Sequence, residues 1–220
     1  LNNCSRTFLN ECSNTGKIKA ISIHQRDAMR SAEFDREQVL RSAMDAFIAK
    51  GYSKTSMQDL KQATGLHPGS IYCAFENKRG LLLASLEQYR SDSKADFQRF
   101  FDQSPSALKG LRLYLDHVVE ECECETIKDC LLQKALSELS QQDEEVEALI
   151  AHMLNQWQAS IAAKLQQAQQ EGDIPADRNP LELAQFLVMG IYGIRTFSHT
   201  QPEKGTLRRL ADQLFAHLSQ

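Results

Sequence analysis

"TSMQDLKQATGLHPGSIYCAFENK", residues 55–78, holds two short helical patterns on either side of a tight turn. Thr55 or Ser56 suits the N-cap of the first, with Met57, Leu60 and Ala63 spaced to face inward and Gly65 closing it. After the turn "TGL" a second short helix carries Ile71, Tyr72 and Phe75. Asn77 then starts a longer helix, predicted to run to about Ser104, where Pro105 breaks it.

Upstream, Val39, Leu40, Ala43, Met44, Phe47 and Ile48 form one wide apolar stripe from Phe34 onward, and Gly51 ends that helix. A packing helix followed by two short helices around a glycine-containing turn is a helix-turn-helix. Downstream, five further helices are predicted near 106–124, 127–140, 143–171, 180–199 and 203–219. In the 143–171 segment Val146, Leu149, Ile150, Met153, Leu154, Trp157, Ile161 and Leu165 mark one face, and Asn179-Pro180 is a good start signal for the next helix. No internal repeat and no strand of useful length occurs, so the fold class is all-α. An N-terminal three-helix unit, 29–78, precedes a helical domain, 79–220. Residues 1–28 are polar and lack helical periodicity, and Met29 sits just before the first patterned segment. They are expected to be a flexible extension, with the functional chain starting near Met29.

Composition narrows the class. Apolar residues make up 42% and charged residues 25%, the balance of a soluble globular protein. The longest apolar run, "FLVMGIY" at 186–192, is too short to span a bilayer. No export signal occurs, so a cytoplasmic protein with reduced cysteines is expected. Residues 1–90 carry 13 Lys+Arg against 9 Asp+Glu, whereas 91–220 carry 12 against 20. The basic front suits a polyanion and the acidic back does not.

A helix-turn-helix meets DNA by laying its second helix in the major groove, N-terminal residues nearest the bases. Here that helix begins "HPGSIYCAF". Gly69 lets the backbone approach a phosphate or base edge, Ser70 and Tyr72 supply hydroxyls, and Lys78 stands at the next helix N-terminus, where charge and amides converge on phosphate. For Tyr72 the spacing suits core packing as well; Phe75 is expected in the core.

Residues 34–89 resemble the DNA-binding region of TetR-type repressors. The resemblance is carried by Phe47, Gly51-Tyr52, Thr55-Ser56, Ala63-Thr64-Gly65-Leu66, Gly69-Ser70-Ile71-Tyr72, Phe75, Lys78 and Leu81. It implies a homodimer reading a palindromic double-stranded DNA operator, released by a small-molecule effector, with no cofactor. Matching the family's phosphate-contacting positions are Thr55, Ser56, Ser70, Tyr72 and Lys78; matching its base-facing positions are Met57, Pro68, Gly69, Cys73 and Ala74, with His67 at the helix start. Met57, Cys73 and Ala74 cannot make bidentate base contacts, so His67, backbone groups, thymine methyls and DNA shape carry more of the reading. The resemblance also implies that the last two helices build the dimer interface. The 180–199 segment is apolar nearly all round, so it is expected to be buried on several sides, with Gly190 and Gly193 admitting a neighbouring helix. Phe97, Phe101, Leu113, His117, Cys130, Met153, Trp157, Phe186 and Met189 are candidates for an apolar effector pocket with few polar groups.

Cys122, Cys124 and Cys130 raise two further readings. On a helix Cys122 and Cys124 point about 200° apart, which disfavours a shared metal ion, and no metal site is expected. Cys130 falls in the first turn of a helix starting near Lys128, with Lys134 on the same face, which favours a thiolate, while the carboxylates of Asp129 and Glu125 oppose it. "ETIKDCLLQKALSEL" also resembles the helix start in the branch of TetR-type repressors that responds to N-ethylmaleimide and related electrophiles, although that branch has glycine where this chain has Asp129. Cys130 is thus either a sensory thiol, with the effector electrophilic, or a buried packing residue, with the effector apolar. A helical thiol-dependent redox enzyme is the alternative from another class; the Cys-x-x-Cys pair such chemistry uses does not occur.

Deleting residues 1–28 is expected to leave the melting temperature within experimental error. A clear drop would show that the segment packs.

Overall fold

Asp35 opens the helical run: its carboxylate accepts the Gln38 amide at 3.1 Å, and α1 (Arg36–Lys50) follows. The computed structural model describes residues 34–124, 131–139 and 143–218. From Asp35 onward the chain forms one compact unit. The helices after α1 are α2 (Met57–Thr64), α3 (Pro68–Phe75), α4 (Lys78–Asp102), α5 (Ala107–Glu123), α6 (Leu131–Leu139), α7 (Glu144–Gln170), α8 (Pro180–Ser198) and α9 (Thr206–Ala216). No strand occurs among the described residues, and none of their helices is long and apolar enough to cross a membrane.

Local chemistry starts most of these helices. The side chains of Ser56, His67, Asn77, Ser106, Asp143 and Asn179 each accept an amide of the first turn. Removing such a cap typically costs about 1 kcal/mol. Ser56 and Asp59 cap reciprocally, each side chain satisfying the other's backbone amide. At the end of α1 the Gly51 amide donates to the Phe47 carbonyl at 2.8 Å with φ at 81°, a conformation that strains any other residue.

Val39, Leu40, Ala43 and Phe47 of α1, Leu60 of α2, and Ile71 and Phe75 of α3 are buried, so the three helices keep their apolar sides inward. Ala63, expected inward, is exposed. The covered line of α2 runs through Met57, Leu60 and Thr64, spaced three and four apart, and Ala63 falls off it.

Phe97 of α4, Leu111, Leu115 and Val118 of α5, Ile161 and Leu165 of α7, Leu187 and Ile191 of α8 and Ala211 of α9 form the larger core. Helix α8 is less enclosed than its composition suggests. Leu183, Ala184, Leu187, Ile191 and Ile194 are buried, while Leu181 is 48%, Met189 63% and Phe197 42% exposed. Gly190 lies tight against Leu214 of α9, where any Cβ would overlap; Gly193 faces open space.

Asp143 ties two of these helices together. Its carboxylate accepts Arg79 Nε at 2.5 Å and Nη2 at 2.8 Å from α4, and the Val146 amide of α7 at 3.1 Å. The Arg79 hydrogen bonds, foremost, hold its pKa down at about 2, against about 3.9 for an unperturbed aspartate. A folded-state value below the unfolded one means the stabilisation is complete above about pH 4 and is lost as pH falls towards 2. Asp92 against Arg41 and Asp59 against Lys50 are shifted the same way. The melting temperature should therefore fall between pH 4 and pH 2. Asp143→Asn should lower it at neutral pH and shrink that acid drop, as thermal melts across the range will check.

Candidate nucleic-acid interface and cavity

Helix α3 turns two faces in different directions. Ile71 and Phe75, four apart, are buried, and this leaves His67, Gly69, Ser70, Tyr72 and Cys73 exposed on the opposite side. Tyr72 is 51% exposed, which favours the hydroxyl-presenting reading over the core reading; Phe75 is core. His67 starts the helix by accepting the Gly69 amide on Nδ1 at 3.3 Å. The neutral ring then carries its proton on Nε2, as a donor suited to guanine or phosphate oxygens. A Cβ at Gly69 would meet only His67, at an ordinary 3.6 Å, so the fold itself does not demand glycine there.

The remaining candidates divide. Ser56 is exposed at the start of α2, Met57 beside it is half-buried, and so is Pro68 at the start of α3. Lys78 is half-buried, with Nζ 4.3 Å from the centre of the Tyr52 ring. Burial pushes its ammonium pKa down, opposed by the Glu138 and Asp59 carboxylates. Thr55 does not join this face. It is buried, and its hydroxyl donates to the Gly51 carbonyl at 2.6 Å, holding the turn between α1 and α2. Its sequence neighbourhood suggested a phosphate contact, but the chain returns inward one residue before the cap. Sequence reasoning missed Arg36, whose guanidinium lies 4.7 Å from the centre of the Phe75 ring at the end of α3.

A cavity of about 390 Å³ lies between α1, α4, α5, α6, α7 and α8. His117, Met153 and Trp157 line it as expected, together with Phe97. Four other candidates do not. Met189 points outward on α8; Phe186 packs on the His217 ring at 4.4 Å; Leu113 is 45% exposed; Phe101 packs on Phe97 at 4.8 Å under the Lys164 ammonium. Each sits on an apolar stretch, but its side chain packs elsewhere or faces outward instead of lining the cavity. Cys130 lies outside the described residues.

The cavity is also less apolar than expected. Tyr89, Phe100, Tyr114 and Tyr192 add rings, while Arg90, Lys94, Arg195, Asp45, Asp96 and Glu121 add charge. Glu121 accepts Arg195 Nη2 at 2.7 Å and stands 3.5 Å from His117 Nε2, so three helix-borne polar groups meet in the wall. The Trp157 ring meets Tyr192 edge-on at 5.7 Å. Arg195 and Tyr192 carry no sequence signal for this role; they lie within a helix read as apolar nearly all round.

Among the described cysteines, Cys122 is buried and Cys124 exposed, on opposite sides as their spacing requires, and both are free thiols. Burial, above all, pushes the Cys122 thiol pKa up. Among the described residues no group of three His, Cys, Asp or Glu is placed to hold a metal ion.

Against known proteins, residues 39–85 match the family described as bacterial regulatory proteins, tetR family, and residues 107–214 match the tetracyclin repressor-like C-terminal domain. The HTH-type transcriptional repressor ComR of Escherichia coli is 31% identical over 173 residues, covering 75% of this chain and 80% of that protein. The transcriptional regulator AcuR of Cereibacter sphaeroides is 27% identical over 164 residues, covering 74% and 75%. Among solved structures, a cysteine mutant of the TetR family regulator CifR complexed with 26-bp double-strand operator DNA superposes with a TM-score of 0.73 at 25% identity, covering 83% of this chain and 96% of that one. Reduced Escherichia coli NemR superposes equally well, at 0.73, but at 17% identity, covering 83% and 94%. That likeness shows the fold and does not place the chain in an electrophile-responsive branch.

Thr55→Val should lower the melting temperature by removing a bond worth about 1 kcal/mol. The salt dependence of DNA binding should be unchanged, because no phosphate contact is lost. A shallower salt slope in that variant would return Thr55 to the interface.

Proposed function

The chain belongs to the TetR family of bacterial regulatory proteins, and on that premise we propose that it is a repressor that binds a palindromic DNA operator as a homodimer and leaves it when a small-molecule effector fills the helical cavity. It regulates transcription and is not an enzyme, so the thiol-dependent redox alternative falls with the family assignment. Residues 29–78 read DNA, residues 79–220 sense and pair, and the protein works in the cytoplasm, where the DNA lies.

The observation that carries the reading is the outer face of α3. Its N-terminal half offers His67, Gly69, Ser70 and Tyr72 without using them for the core. His67 and the bare backbone at Gly69 face the bases, with Cys73 beside them; Ser56, Ser70, Tyr72 and Lys78 take phosphates. Support for the operator comes from the DNA-bound relative at 25% identity.

Pairing uses α8. Leu181, Gln185, Met189, Gly193 and Phe197 are exposed and spaced four apart, so they form one stripe with apolar ends and middle. A second copy of the same stripe, related by a two-fold axis, matches the symmetry of a palindrome. The cavity supplies the sensing site: flat rings along its walls, and the Glu121–Arg195 pair with His117 for a hydrogen-bonding group.

Footprinting should show two protected half-sites about one helical turn apart, or a multiple, with affinity falling steeply as salt rises. Lys78→Ala should weaken binding to all duplexes alike, whereas substitution of His67 should change the preference among them. Met189→Glu should yield a monomer in sedimentation and abolish the footprint. Absence of any protected palindrome at low salt would overturn the reading.

A further inference from the structure

The cavity and the helix-turn-helix share a helix. Met44 and Ile48 of α1 stand in the cavity wall with Leu132 of α6 and Trp157 of α7. The same short helix α6 also grips the end of α1. Lys134 Nζ donates to the Ile48 carbonyl at 2.6 Å. Glu138, one turn further on and on the same face, accepts the Ser53 amide on Oε2 at 2.9 Å. Its other oxygen presses on Gly51, where any Cβ would overlap it.

These contacts meet a need of α1. The last four carbonyls of a helix lack partners within it, and a cation there also faces the negative end of the helix dipole. Lys134 therefore caps α1 from another part of the chain. Glu138 holds the turn that follows, three residues before Ser56, the N-cap of α2. Leu131, Ala135 and Leu139 are buried and hold α6 against its neighbours, but apolar contacts tolerate sliding. Hydrogen bonds to backbone atoms do not, and so they set the register of α6 on the turn.

We propose that Lys134 and Glu138 are positioning residues that couple the cavity to the DNA-binding helices: they make α6, which carries the cavity-lining Leu132, move together with the Gly51–Ser53 turn that aims α2 and α3. This rests on the reading of the chain as an effector-released DNA-binding regulator. An occupant that displaces Leu132 shifts the turn through these two bonds; with the bonds cut, α6 moves and the turn stays. Coupling between two sites is reciprocal, so binding of DNA must alter the cavity in return.

That reciprocity permits a test without the effector. Trp157 is the single tryptophan of the chain and lines the cavity. Acrylamide quenching of its fluorescence is measured in the full chain, free and saturated with a duplex obtained by unbiased selection. In the parent the quenching constant should change on binding the duplex. Lys134→Met and Glu138→Met should still bind that duplex but lose the change, while Lys134→Arg and Glu138→Gln, which keep a donor and an acceptor, should restore it. The same quenching in the free and bound parent overturns the proposal, as does a parent-like change in both methionine variants. If circular dichroism shows either methionine variant unfolded, the parent measurement and the other variant decide. A parent that selects no duplex is a different failure: it removes the regulator reading, and the coupling falls with it.

Discussion

Helix α1 is covered on two sides, and the arrangement of its neighbours follows from that requirement. Val39, Leu40, Ala43 and Phe47 are buried, while Met44 and Ile48, one step around the helix, reach the cavity wall. Burying a side chain the size of Phe47 stabilises by roughly 1.5–3 kcal/mol, whereas an exposed ion pair contributes about 0–1 kcal/mol. Apolar burial therefore fixes where α1 lies. A helix that must satisfy both a DNA-facing unit and a cavity is also a helix neither can move without consequence for the other.

Polar ties then fix register. Arg41 of α1 meets both carboxylate oxygens of Asp92 on α4 at 2.9 Å, and Arg79 makes the equivalent pair with Asp143 at the start of α7. Forked pairs of this kind are geometrically selective even where their net free energy is small. Arg195 Nη2, donating to Glu121, ties α8 to α5 in the cavity wall. The cross-helix ion pairs thus occur where two helices distant in sequence have to keep one alignment.

Function occupies faces the fold does not need. On α3, Ile71 and Phe75 complete the packing and leave the other side uncommitted, so glycine, serine and cysteine are tolerated there. On α8, Leu183 and Leu187 serve the core while Met189 and Phe197 remain exposed, on the face proposed for pairing. Thr55 shows the reverse case: a hydroxyl beside the interface that the fold has already used.

The sequence by itself determined the helices, their order and the helix-turn-helix, because these rest on interactions three or four residues apart. Ser56 with Asp59, Asn77, Asp143 and Asn179 announce helix starts through bonds made within one turn, and Gly51 announces an end. Only the tertiary structure decided which face of each helix meets which neighbour. Periodicity marks a stripe without saying what covers it, and on α8, apolar nearly all round, it could not separate Ile191 inside from Met189 outside. The cavity was legible only in part, through Phe97, His117, Met153 and Trp157, for the same reason. Its wall joins Ile48, Tyr114, Trp157 and Arg195, side chains from four helices far apart in the chain, and their meeting depends on how those helices pack.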